Sequence, residues 1–195
     1  LGTGVSVQST TSIITQGTLS VTGNGFDLAL DGPGFFQVQL PGGKLAYTRA
    51  GNFSRSAEGA LVTAQGYPVQ PAISIPSDAT DIMISKAGQV QVAKAGQSTP
   101  TVVGTLELAT FVNEAGLEAM GSNLYAQSGS SGTPITGVPG VDGIGSLLQG
   151  YTEASNVDSV TEITALIVAQ RAYEMNSKVI TSADQMLSTA NQVKS

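Results

Sequence analysis

Two hydrophobic patterns divide the chain. Between about residue 26 and residue 111, short apolar runs are separated by turn residues such as Pro41-Gly42-Gly43, and short strands with frequent turns are typical of antiparallel sheet. Together with the C-terminal pattern described next, these runs predict an α+β fold, in which a mainly antiparallel β-domain of sandwich or barrel type precedes a long C-terminal coiled-coil helix. The predicted strands are residues 27–30, 35–40, 44–49, 60–63, 82–85, 90–92 and 105–111.

The C-terminal pattern has helical spacing. No glycine or proline occurs from Ser159 to Ser195, and the sequence Ser159-Val160-Thr161-Glu162 matches a capping box that would begin a helix. At 1.5 Å per residue this helix would be about 55 Å long, too long to be buried on a small β-domain alone, so we expect a helical partner. Asn176 interrupts an otherwise apolar seam, as a single polar residue does when it fixes the register of a coiled coil. The predicted packing positions are Leu166, Ala169, Tyr173, Asn176, Ile180, Ala183, Leu187 and Ala190.

The stretch GPGFFQV, residues 32–38, places two large rings side by side on a predicted strand. Successive side chains on a strand point to opposite faces of the sheet. Phe35 and Phe36 therefore cannot both enter one single-sided core. Either the sheet is covered on both faces, or one of the two rings contacts a partner.

The stretch YTRAGNF, residues 47–53, places a cation between two aromatic residues. A cation–π contact or a clamp on a carboxylate is one interpretation. The favoured interpretation is structural: Tyr47 and Phe53 share one face of a strand unless Gly51 introduces a bulge, and Arg49 forms a salt bridge or lies at a subunit contact.

We predict three segments along the chain. Residues 1–25, rich in Ser, Thr and Gly, form an extended connection, residues 26–148 form the β-rich domain, and residues 149–195 contain a second connection and the helix. Within the β-rich domain, residues 128–145 are rich in Gly, Ser and Pro. This stretch is either a flexible linker or a long ordered loop that runs over neighbouring protein.

The composition excludes several kinds of chemistry. The chain contains no His and no Cys, which removes thiol nucleophiles, Ser-His triads, disulfides and His/Cys metal sites. The net charge is −6 and the 8 basic residues are scattered, so nucleic-acid binding is not expected. No run approaches the ~20 apolar residues that span a membrane. We predict no catalytic, cofactor-binding or metal-binding residue, and no enzymatic activity.

Paired carboxylates are the one catalytic device that this composition leaves. Asp27 with Asp31, or Asp78 with Asp81, would be the candidate pairs in a cell-wall glycosidase. Capping of turns is the favoured role of these side chains. A further alternative is a Gly-rich β adhesin or tail-type module that its terminal helix oligomerises.

Several of these motifs resemble a known family. GPGFFQV, YTRAGNF and GALVTAQGYPVQPAI (residues 59–73) are similar to the central signature of the bacterial flagellar rod and hook proteins. The stretch SNVDSVTEITALIVAQRAYEMNSKVITSADQML, residues 155–187, resembles the C-terminal helical motif of that family. The likeness runs from about residue 17 to residue 186. It is closest to the distal rod members, since the middle region has no room for the extra domains of the hook protein.

The resemblance implies a structural subunit. In this family, subunits stack into a hollow helical tube that crosses the periplasm, transmits torque from the motor to the hook and forms an export channel. The implied partners are further copies of the chain, other rod subunits, the hook protein and the surrounding bushing ring of the basal body. Subunits of the family leave the cytoplasm through the flagellar type III apparatus, without a cleaved signal peptide.

The resemblance also implies a role for each part of the chain. The helix from Val157 to about Val193 would line the inner tube, paired with an N-terminal helix. This sequence does not contain the N-terminal helix of the family, so we expect a truncated subunit. The β-domain would form the outer wall, and its signature residues are Phe35, Phe36, Tyr47, Arg49 and Phe53.

Overall fold

The chain folds into two compact units. A computed structural model describes residues 12–97 and 99–193, without the side chains of residues 187 and 190–193. The first unit ends at Ala154 and the second begins at Ser155. We refer to them as the β-unit and the helix unit.

The β-unit consists of short antiparallel strands, as the frequent turns predict. Its only helical turn among the described residues is a 3₁₀ helix at Glu114–Gly116. The predicted α+β class is confirmed, since antiparallel sheets precede one C-terminal helix, and the described strands close no barrel. The strands are β1 (Leu19–Val21), β2 (Leu28–Asp31), β3 (Phe35–Gln39), β4 (Leu45–Thr48), β5 (Ser54–Arg55), β6 (Leu61–Val62), β7 (Val69–Gln70), β8 (Ala79–Ile84), β9 (Gln89–Lys94), β10 (Thr101–Thr105), β11 (Leu108–Thr110), β12 (Glu118–Gly121), β13 (Leu124–Ala126), β14 (Ile135–Gly137), β15 (Ser146–Gln149) and β16 (Tyr151–Glu153).

The largest sheet is built around β3. Its order is β12-β13-β4-β3-β11-β14, and β7 also pairs with β3. In this register Phe36 lies opposite Thr48 on one side and Leu108 on the other. A second sheet has the order β10-β9-β8, and three ribbons pair β2 with β15, β5 with β6, and β1 with β16.

The main hydrophobic core lies on one face of the largest sheet. It combines side chains of that sheet, such as Phe36 and Val38, with Ile84 and Val92 from the β8–β9 hairpin and with Leu147 of β15. A second, smaller cluster covers the opposite face at Phe35. The central strand β3 is therefore buried on both of its faces.

One predicted strand is wrong in its extent. Residues 105–111 do not form a single strand, because the chain passes from β10 in one sheet to β11 in another. At the change of sheet, the fully buried Leu106 donates its backbone N–H to Gly88 O at 2.7 Å. The apolar alternation of this stretch spans the junction, so it gives no sign of the break.

The two stretches with loop-like composition have regular elements within them. Leu19–Val21 forms β1, whereas residues 1–11 lie outside the described part of the chain. In the Gly/Ser/Pro-rich stretch, Ile135–Gly137 pairs with β11, and Ile144 joins the main core. Ser131 is fully buried there, and its hydroxyl donates to Ser128 O at 3.0 Å.

The helix unit contains α1 (Ser159–Val193), a helix of 35 residues. The predicted N-cap residue is wrong by one position. Asp158, not Ser159, caps the helix, since its Oδ1 accepts the backbone N–H groups of Val160 at 2.9 Å and Thr161 at 3.4 Å. Aspartate is among the best N-cap residues because its carboxylate also interacts favourably with the positive end of the helix dipole.

The close packing at Gly51 provides a test of this fold. A Cβ at this position would lie 1.6 Å from Leu28 O, and the Gly51 carbonyl accepts the backbone N–H of Leu28 at 2.9 Å. We expect Gly51→Ala to lower the free energy of unfolding of the β-unit by about 3 kcal/mol or more, since the backbone must shift to make room. Urea unfolding followed by tyrosine fluorescence measures the change.

Gly129→Ala is the matched control. No atom lies within 4 Å of a Cβ built there, so its cost should stay within about 0.5 kcal/mol. Equal costs for the two variants would contradict the approach of the Gly51 and Leu28 backbones.

Candidate assembly surfaces

The two adjacent phenylalanines lie in different clusters, and both are fully buried. Phe36 enters the main core, where its ring packs edge-on against Phe53 with centroids 4.9 Å apart. Phe35 enters the second cluster and packs edge-on against Phe111 at 5.9 Å and Tyr125 at 6.0 Å. Such edge-to-face pairs are favourable beyond the area they bury. The chain itself therefore covers both rings.

Tyr47 and Phe53 do not share a face, as expected if Gly51 interrupts the strand. Tyr47 lies in the second cluster with Phe35, whereas Phe53 lies in the main core. The chain bends at Gly51, whose carbonyl accepts the backbone N–H of Phe53 at 3.0 Å. The alternation of a regular strand therefore does not continue through this glycine.

Arg49 lies beside the second cluster and is largely buried. Its Nε donates to Glu153 Oε2 at 3.1 Å, and its Nη1 donates to the carbonyls of Gly32 at 3.3 Å and Gly34 at 3.1 Å. Nη2 lies 3.0 Å from the same carboxylate oxygen, at an angle too poor for a second hydrogen bond. The guanidinium carbon is 6.0 Å from the centroid of the Phe35 ring. The residue forms both the salt bridge and the ring contact that the sequence offered as alternatives.

Burial shifts the pKa of two further ionisable groups in the β-unit. Burial raises the pKa of the Glu114 carboxyl, and the positive charge of Arg49 offsets part of that rise. Burial also raises the pKa of the Tyr47 hydroxyl. Neither group has the paired acid and base arrangement that catalysis by carboxylates needs.

The sequence did not identify Glu153 or Gln16 as members of the hydrogen-bonded group around Arg49, which we call the Arg49 cluster. Glu153 Oε1 accepts the backbone N–H of Gly17 at 2.8 Å. The Gln16 amide donates to Leu30 O at 3.1 Å and accepts the N–H of Gly32 at 3.0 Å. The only signal in the sequence that could have suggested Glu153 is its acidic side chain shortly before the predicted helix.

The predicted packing positions of α1 are exposed. Leu166 is 69% exposed, Tyr173 76% and Ile180 62%. Ala169, Asn176 and Ala183 are exposed as well, and the side chains of Leu187 and Ala190 lie outside the description. A coiled coil requires a second helix, so the seam remains a prediction. The helix presents a long apolar face that the described residues leave uncovered.

The candidate carboxylates have structural contacts. Asp27 Oδ1 accepts the Asn24 amide at 3.1 Å, Asp81 Oδ1 accepts the N–H of Ile82 at 2.8 Å, and Asp78 pairs with Lys94 at 3.1 Å. Among the described residues, no group of three or more His, Cys, Asp or Glu side chains could hold a metal ion. Within the same residues, no helix is long and apolar enough to cross a membrane.

A β-unit with a closed core and a long helix with an open apolar face are together typical of a subunit that assembles through its helix. The profile described as the flagellar hook protein FlgE/F/G D1 domain matches residues 29–92. The profile described as the flagellar basal body rod FlgEFG protein C-terminal region matches residues 148–193.

Comparison with whole proteins gives the same family. The chain is 55% identical to the flagellar basal-body rod protein FlgG of Caulobacter vibrioides over 100% of its own length and 74% of that protein. It is 43% identical to FlgG of Borreliella burgdorferi over 100% of the chain and 74% of the relative. The chain belongs to the flagellar basal-body rod protein family. Identity to FlgF of Caulobacter vibrioides is lower, 35% over 90% of the chain and 68% of that protein.

The family membership decides between the alternatives that the sequence left open. The match to rod proteins extends over the whole chain, and nothing in it supports an adhesin or a glycosidase. The lower identity to FlgF than to FlgG of the same bacterium places the chain among the FlgG-type, distal rod proteins.

Because both rings are fully buried, we expect truncation of either ring to destabilise the β-unit by a similar amount. Phe35→Ala and Phe36→Ala should each lower the free energy of unfolding of the β-unit by about 3–5 kcal/mol, since each removes a fully buried ring and leaves a cavity. Urea unfolding at 25 °C measures both. Tyr173→Ala, which truncates an exposed ring in the helix unit, is the control and should leave this transition unchanged. A cost below about 1 kcal/mol for Phe35→Ala would mean that its cover is not formed within the chain.

Proposed function

We propose that this chain is a structural subunit of the flagellar distal rod. The observation that carries the proposal is the exposed apolar seam of α1, in a segment that matches the C-terminal region of the rod proteins. Three large seam side chains in water are unfavourable, because burying each would contribute about 1.5–3 kcal/mol. Assembly with other helices would provide that burial.

The two units would have different places in the rod. We assign residues 149–195 to the inner tube, where α1 packs against a helical segment of the same or a neighbouring subunit through its seam. We assign residues 26–148 to the outer wall. The closed core of the β-unit supports this assignment, since both faces of β3 are already covered within the chain.

Further parts of the proposal rest on family membership. The chain would polymerise with copies of itself into a hollow helical tube, and it would contact other rod subunits, the hook protein and the bushing ring. The tube would cross the periplasm of the basal body, transmit torque from the motor to the hook and serve as an export channel. Its subunits would be exported through the flagellar type III apparatus. The role is structural, without enzymatic activity.

Introducing a charged side chain into the seam of α1 tests this function. In full-length rod protein with this sequence, we expect Tyr173→Asp and Ile180→Asp to reduce assembly at least ten-fold, because a buried, unpaired carboxylate opposes helix packing. Electron microscopy measures tube formation, and urea unfolding of the β-unit should be unchanged.

The control places the same charge on the opposite side of α1. Gln185→Asp lies away from the seam by the heptad spacing and should assemble as the unmodified protein does. Formation of normal tubes by Tyr173→Asp would contradict the assignment of the seam. A small closed oligomer of the unmodified protein would contradict its assignment as a rod subunit.

A further inference from the structure

The β1–β16 ribbon carries both chain connections of the β-unit. The chain enters β1 from Gly17 and leaves β16 at Ala154. Among the described residues the ribbon belongs to no larger sheet. None of its residues is fully buried, since Ser20 and Val21 of β1 are exposed and β16 is half-buried. A two-stranded ribbon with few apolar contacts is marginally stable in water. Something other than hydrophobic packing must hold it.

The two ends of the ribbon differ. At the closed end, Thr22 donates its backbone N–H to Gly150 O at 2.8 Å, and Gly150 donates to Asp27 O at 2.8 Å. At the open end, the last ladder bond runs from Ala154 N–H to Thr18 O at 2.9 Å. Fraying of the ribbon begins at the open end. When force is applied to the two connections, the hydrogen bonds at this end also carry the load first.

The Arg49 cluster lies at the open end. One carboxylate, that of Glu153, binds the Gly17 N–H with one oxygen and the Arg49 guanidinium with the other. The side chains are 15% exposed for Arg49 and 10% for Glu153, so solvent screens this pair far less than a surface salt bridge. The same guanidinium binds the carbonyls of Gly32 and Gly34 in the turn that precedes β3.

Gln16 reinforces this arrangement. Its side-chain amide binds the carbonyl of Leu30 and the N–H of Gly32, so the connection before β1 is tied to the turn that Arg49 also holds. These bonds join the ribbon to the end of β2 and to the turn between β2 and β3. None of them depends on the helix unit.

We propose that Arg49 and Glu153 form a clasp, which fixes the open end of the β1–β16 ribbon to the Gly32-Pro33-Gly34 turn. Arg49 is thus a positioning residue for the two connections of the β-unit. The guanidinium suits this role because it donates to Glu153 from Nε and to both carbonyls from Nη1, whereas a lysine ammonium is a compact point charge. The clasp is a property of the β-unit and holds whether or not the chain assembles.

Hydrogen exchange resolved by NMR on the full chain tests the clasp. Three amides serve as reporters: Ala154 at the open end, Thr22 at the closed end and Leu106 in the main core. In Arg49→Met we expect exchange at Ala154 to rise at least ten-fold more than at Leu106, with a smaller rise at Thr22. Arg49→Lys should give an intermediate rise at Ala154. If the pair merely stabilised the whole β-unit, its loss would raise exchange at Leu106 by at least as much as at Ala154.

Two further variants keep the test decisive. Lys94→Met removes a cation from the more exposed pair with Asp78 and should leave Ala154 unchanged. Gln16→Ala, at an exposed side chain, removes the second tie to the same turn and should raise exchange at Ala154 several-fold without changing Leu106. An unchanged Ala154 in Arg49→Met, or in Arg49→Lys where Arg49→Met does not fold, would overturn the clasp. An equal rise at Ala154 and Leu106 would also overturn it.

Discussion

The fold depends on covering β3 from both sides. Two adjacent rings on one strand point to opposite faces, and leaving either in water would forfeit about 1.5–3 kcal/mol of burial. A single sheet with one packed face cannot satisfy Phe35 and Phe36 together. The chain therefore covers Phe35 with side chains that are distant in sequence, including Tyr125 from the same sheet, Phe111 directly after its strand β11, and Leu117 from outside it.

The packing of the second cluster explains why a buried ion pair is present. This cluster is small, and Arg49 closes its edge with the guanidinium 6.0 Å from the Phe35 ring centroid. A guanidinium removed from water must be paired and hydrogen-bonded, which Glu153 and two glycine carbonyls accomplish. The ion pair follows from the packing of the ring, and it brings the β16 strand to the sheet.

The predictable features were those encoded locally. Turn residues and apolar runs located seven of the sixteen described strands, and uninterrupted helical spacing located α1. The break after Thr105 was not predictable, since its cause is a bond from Leu106 to Gly88 and a change of sheet. The partner of Arg49 was equally hidden, because Glu153 lies 104 residues away. The cap at Asp158 was missed by one position because Ser, Thr and Asp all cap well and two of these types stand side by side.

The two units satisfy their apolar residues in different ways. The β-unit buries its large side chains in its own clusters, whereas the apolar face of α1 is exposed over the described residues. A helix in water draws most of its stability from packing such a face, not from its intrinsic propensity. The β-unit can therefore be stable as a single chain, while burial of its apolar face would stabilise α1. A chain that is only 11% charged suits this division, since few charges must be desolvated when subunits pack side by side.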